Sequence, residues 1–218
     1  MIIFSKFELW KPGFKVGMLK IRKMHDLEPF FRWIDDYTAS KDERSPFFQK
    51  SYSEFYFENK IYNYLIHPQW DDMGSETLYL KILWVDYDQK FCIMEFLGEW
   101  NDCIEEDCQT LKRNIIDKML VYGIVHFILI GENILTFHSG DDDYYQEWIE
   151  DISEEGGWVA LLNLPKHVYQ DFAEARINHL FFMGADYNTF NWRIYKPAAI
   201  FQLLEERIEG SVKSLPAY

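Results

Sequence analysis

The hydrophobic rhythm of the chain changes near residue 100, and that change limits the folds open to it. Upstream, residues 55–57, 61–66, 78–85 and 91–97 are short runs rich in aromatic and β-branched side chains, the types that fill a pleated surface. Glu58-Asn59, residues 68–75 and residues 86–90 separate them with turn-forming chemistry. The pattern predicts an antiparallel meander. Downstream the chain alternates. Residues 104–122 set Ile104, Cys108, Leu111, Ile115 and Met119 on one side of a helix that Gly123 ends, and residues 124–130 read as a strand. A helix over about 142–155 stops at Gly156-Gly157, followed by a strand at 158–164, a helix at 165–175 and a short strand at 180–183. A last helix opens at Pro197 and closes at Gly210, proline first and glycine last.

The predicted fold is therefore mixed α/β. An N-terminal antiparallel β-meander precedes alternating helices and strands that form one mixed sheet with packed helices; an α+β arrangement is the variant. Residues 1–218 are expected to form a single domain, with two subdomains meeting near residue 100 as the alternative. Residues 1–24 read as one or two strands broken at Pro12-Gly13. Asp26 is expected to cap a short helix that turns Phe30, Phe31 and Ile34 inward.

Aromatic content supports a heavy core: the chain has 18 Phe, 14 Tyr and 8 Trp, rings that bury large areas without disulfides. Rings left exposed would instead be interface anchors. Cys92, Cys103 and Cys108 have no disulfide-framework spacing and fit a reducing compartment. Lys6, Glu8 and Lys11 interrupt the apolar start before a signal-peptide core can form, and no stretch reads as a membrane span. The expectation is a cytoplasmic protein. Its acidic pI near 4.8 argues against nucleic acid as a partner, because phosphate contact needs clustered Lys and Arg.

All of the net charge of −14 falls in one third of the chain. Residues 86–155 carry 18 Asp/Glu against 4 Lys/Arg, while the flanks balance at 12 against 12 and 6 against 6. Within that third, the helix after Ser139 is expected to turn Tyr145, Trp148, Ile149 and Ile152 inward. Asp143, Glu147, Glu150, Asp151 and Glu154 then form a negative stripe outside. First-turn acids complement the helix dipole. Like charges four apart cost roughly 0.2–0.5 kcal/mol per pair, so stability alone does not explain the stripe. It is expected to be a solvated face paired with bases elsewhere in the fold, a docking surface for a basic protein partner or, at Asp141–Asp143, a carboxylate site for Mg²⁺ or Ca²⁺. The acid-free segment containing Lys11, Lys15, Lys20, Arg22 and Lys23 is the candidate internal counterpart.

Other chemistry is carried by short patterns. Leu83-Trp84-Val85-Asp86-Tyr87-Asp88 is an apolar run ending in Asp-x-Asp. It resembles the first motif of haloacid-dehalogenase-like phosphatases. That resemblance implies Asp86 as nucleophile, Asp88 as general acid/base, and Asp141 among the acids that hold Mg²⁺. The sequence departs from the family at Gln89-Lys90, where Gly-Thr or Gly-Val would stand, and in lacking the motif lysine before Gly140. A hairpin turn is the plain alternative. Asp72 with Asp88-x-Lys90 aligns loosely with metal-dependent nucleases. His138-Ser139 lies between an apolar run and a helix, a junction where ligands bind in α/β proteins, although an ordinary helix cap is the favoured reading. The six histidines have no zinc spacing, and no phosphate-binding glycine loop calls for a cofactor.

Two functions follow as expectations. The first is a non-catalytic protein-binding or regulatory module using its acidic helix, in the manner of immunity proteins and other inhibitors of nucleic-acid-directed toxins. The second is a Mg²⁺-dependent carboxylate hydrolase using Asp86, Asp88 and Asp141.

Overall fold

The computed structural model describes residues 23–24, 27–53, 56–140 and 143–213. Its strands are β1 (Lys23–Met24), β2 (Lys60–Ile61), β3 (Tyr64–Leu65), β4 (Asp71–Asp72), β5 (Leu78–Asp86), β6 (Phe91–Asn101), β7 (His126–His138) and β8 (Trp158–Leu162). Its helices are α1 (Asp107–Leu111), α2 (Asp117–Leu120), α3 (Asp143–Glu154), α4 (Lys166–Glu174) and α5 (Pro197–Lys213). The fold is mixed α/β. The antiparallel pair β2–β3, with β1 parallel to β3, precedes a five-stranded sheet of order β4-β5-β6-β7-β8.

β6 organises the sheet. Every residue from Phe91 to Trp100 is buried, the signature of a strand covered on both faces. It pairs antiparallel with β5 through a short turn and parallel with β7 through the α1–α2 crossover, so the sheet is continuous across residue 100. β8 extends it in parallel. One face packs against the α1–α2 segment, α3 and α4 through Leu111, Ile115, Trp148 and Phe172. The other receives α5 and the 30s segment through Phe201, Leu204, Trp33 and Trp192. Trp70, Trp100, Trp148 and Trp192 are fully buried, and Trp33 and Trp158 nearly so, so six of the seven described tryptophans serve the interior.

Gly98 shows how closely the strands approach. Its φ is +124°, and a Cβ there would lie 2.0 Å from the Thr77 carbonyl oxygen. Only glycine has the backbone freedom and the missing atom that this crossing needs.

Several expectations are corrected. Residues 32–36 form turns, not a helix; Phe31 is 65% exposed and Ile34 47% exposed, whereas Trp33 is buried. The chain there is held by Phe30, whose N–H donates to the buried Glu95 carboxylate at 2.8 Å, so a tertiary bond fixes its path. Asp26 and residues 1–22 lie outside the described residues, and residues 56–57 are not a strand. The predicted strand at 124–130 continues as β7 to His138, because β6 carries it through Gly131-Glu132-Asn133 with two irregularities in register. The expected strand at 180–183 reduces to a single bridge between Ala160 and Phe182. Ile104 precedes α1 and is exposed. Gly210 does not end α5, which runs to Lys213.

Candidate functional site: the acidic face of α3

Helix α3 is anchored from below. Tyr145, Trp148 and Ile152 are 0% exposed, at the spacing of one helical side. The Tyr145 hydroxyl donates to Asp102 Oδ2. Asp102 Oδ1 in turn accepts the Cys108 N–H at 2.6 Å, so one carboxylate ties α3 to the start of α1. Burial raises the Asp102 carboxyl above its usual range, although its bonds to Tyr145 and Cys108 pull the other way. Asp107 returns the arrangement, accepting the Asn101 N–H at 2.7 Å.

The outer side departs from an unbroken stripe. Between α1 and α2 the chain makes a π-helical turn, Lys112–Ile116. The Lys112 side chain is only 9% exposed. Its ammonium lies 2.7 Å from Asp151, 3.1 Å from Asp117 and 3.2 Å from Glu147. Burial would push that ammonium down, but the bonds to Asp151, Asp117 and Glu147 outweigh it and hold it above the ordinary lysine range. Glu147 and Asp151, four apart, therefore share a cation where they would otherwise repel. One positive charge against three negative ones still leaves the patch acidic. Asp143, Glu150 and Glu154 are exposed. For Glu150 and Glu154 there is no ion-pair partner among the described residues.

The internal cation is thus Lys112; Lys11, Lys15, Lys20 and Arg22 lie outside the described residues. The sequence does carry a signal for it. Lys112 sits on the apolar stripe of its own helix, beside Cys108, Leu111 and Ile115, where a lone lysine needs a carboxylate partner. Lys112→Met is expected to lower the unfolding free energy by on the order of 1–2 kcal/mol in urea titrations, since the carboxylates are partly solvated. Added salt should narrow the gap between variant and parent.

The other predicted residues serve turns and loop contacts. Asp86 Oδ1 accepts the N–H groups of Asp88 at 3.0 Å and Gln89 at 2.8 Å, capping the β5–β6 turn, and Asp88 is exposed at its tip. Asp72 does the same for Gly74 at 2.7 Å. His138 and Ser139 offer backbone carbonyls to the Asp102 N–H and the Cys103 thiol. The Asp86 turn adjoins the first residues of β6 and β7, whereas Gly140 follows their last. The 11-residue strand between them spans on the order of 33 Å at about 3.3 Å per residue. Asp141 lies outside the described residues. Among the described residues no three His, Cys, Asp or Glu side chains are grouped to hold a metal ion, and no helix is long and apolar enough to cross a membrane.

No family model matches the chain, and no curated protein matches it. Among solved structures it is similar to a candidate anti-sigma factor antagonist from Thermotoga maritima. The identity is 18%, the TM-score 0.35, and the match covers 47% of this chain and 80% of that one. Nothing about activity or partners follows from a likeness of that degree.

Proposed function

We propose that the protein is a cytoplasmic binding module that receives a basic protein on the outer side of α3, with no chemistry of its own. One observation supports this most: Glu150 and Glu154 are exposed without a cation beside them among the described residues, on a helix whose inner side is fully buried. A charged surface on a rigid support speeds encounter with an oppositely charged partner and fixes its register. Lys112 strengthens the reading, because it stabilises Glu147 and Asp151 in place without neutralising the patch. A surface of this kind suits an inhibitor that masks the basic, nucleic-acid-binding face of another protein.

The test is Glu150→Lys combined with Glu154→Lys. Neither residue touches Lys112, and the pair is a repulsive one four residues apart. The thermal midpoint is expected to stay unchanged or rise slightly. In capture from native lysate, a basic protein should be retained by the parent and lost by the double variant. Association of that protein with the parent should slow as salt is raised. Identical captured proteins, or a partner whose association ignores salt, would remove the proposal.

A further inference from the structure

Lys81, Ile82 and Leu83 of β5 line a cleft of about 720 Å³, within the usual size for a small-molecule site. Phe30, Trp33 and Tyr37 line it together with Lys50, Tyr52 and Lys81. The charged cluster is built around Asp71, which is 0% exposed. Lys50 Nζ lies 3.0 Å from Asp71 Oδ1, and Lys81 Nζ lies 3.2 Å from Oδ2. Tyr52 donates its hydroxyl to Oδ1 at 2.6 Å, and Lys81 Nζ stands 3.8 Å above the Tyr52 ring.

Two ammonium groups therefore share Asp71, so that cluster carries one positive charge in excess; Glu95, opposite Lys81 in β6, does not line the cleft. Each ammonium has three N–H donors, and each lies against Asp71 through one carboxylate oxygen. The lining also includes Asp35 and Lys41, of opposite charge, and Glu28, which lies 3.5 Å from His67. A buried cationic centre beside aromatic rings is costly to build for packing alone. It complements a ligand with an anionic head and a flat apolar body.

We infer that this cleft binds a small aromatic anion, its carboxylate or phosphate received by Lys50 and Lys81 and its ring held beside Trp33. The site is separate from α3, so it stands or falls independently of the partner surface. Benzoate, phenyl phosphate and neutral benzamide are titrated into the full chain, followed by calorimetry and by NMR of the Trp33 indole N–H and the Lys81 amide. At least one anion is expected to bind at least ~10-fold more tightly than benzamide, a difference of about 1.4 kcal/mol, and to shift both signals. The stronger of the two anions identifies carboxylate or phosphate as the natural head group.

Lys50→Gln still donates to Asp71 and should fold, yet should weaken the anion ~10-fold; Lys50→Arg and Lys41→Gln should retain binding. Binding of benzamide equal to that of the anions, binding indifferent to Lys50→Gln, shifts confined to other surfaces, or no binding by any probe would overturn the inference.

Discussion

Replacing Asp71 by alanine is expected to lower the unfolding free energy by about 3–5 kcal/mol at neutral pH. The carboxylate is inaccessible to solvent, and the Lys81 side chain beside it is only 10% exposed. Without Asp71 that ammonium keeps its desolvation cost and loses its counter-charge. Burial already pushes the Lys81 ammonium below its ordinary range, and Lys50 nearby pushes it further; Asp71 opposes both. The variant should therefore regain part of its stability at high pH, where Lys81 can lose its proton. Adding Lys81→Met to an Asp71→Leu background should recover part of the loss, because it removes the more buried of the two ammonium groups and leaves the more exposed Lys50. Urea unfolding of the single and double variants measures all of this. A loss below about 1 kcal/mol for Asp71→Ala would show that water reaches the ammonium.

Glu95→Gln is expected to stabilise the protein above neutrality by on the order of 3 kcal/mol. Glu95 lies in β6 directly opposite Lys81 of β5, and its carboxyl is pushed up to about 7 from 4.5. Burial is the main cause, and Glu132 adds to it; the Phe30 N–H and Arg193 pull the other way. A folded-state value above the unfolded one means that the folded state holds the proton more tightly. The stability from this group is thus complete below about pH 4.5 and lost as pH rises through about 7. At about 1.4 kcal/mol per pH unit, that displacement gives the stated magnitude. Glutamine keeps an acceptor for Phe30 and does not ionise. The difference between variant and parent should therefore be small near pH 4 and fully developed by about pH 8. Comparing the two at each pH cancels Asp107, raised to about 6, and His126, lowered to about 4, mainly by burial in both cases. A difference that stays flat with pH would show that Glu95 titrates normally.

Elements whose apolar residues recur at the period of their own secondary structure could be read without the fold. Cys108, Leu111, Ile115 and Met119 mark the α1–α2 segment, and Tyr145, Trp148 and Ile152 mark α3, all of them buried. Elements decided by a neighbour could not. Gly131-Glu132-Asn133 has the composition of a turn but is held in β7 by β6. Residues 32–36 have helical spacing, yet Glu95 claims the Phe30 N–H. The buried charges were hidden for the same reason. Lys81 and Glu95 are charges set inside apolar strands, and only the register reveals that they stand opposite each other. Asp71 falls in a stretch that reads as a loop. Of the acidic face, the composition was legible, as was the need of Lys112 for a carboxylate, but not which carboxylates it meets, since that depends on how two helices pack.

The two edges of β6 come together on different schedules. Its pairing with β5 closes across a four-residue turn at 87–90, which Asp86 caps, and hairpins of that kind form in about 1–10 μs. Its pairing with β7 must wait until residues 102–125 have closed the α1–α2 crossover, a longer loop with a larger closure entropy. Between those events the chain carries a long hydrophobic strand with one open edge, a template for pairing with a second copy. Docking of the α1–α2 crossover against the sheet is thus what brings β7 to that edge and closes it.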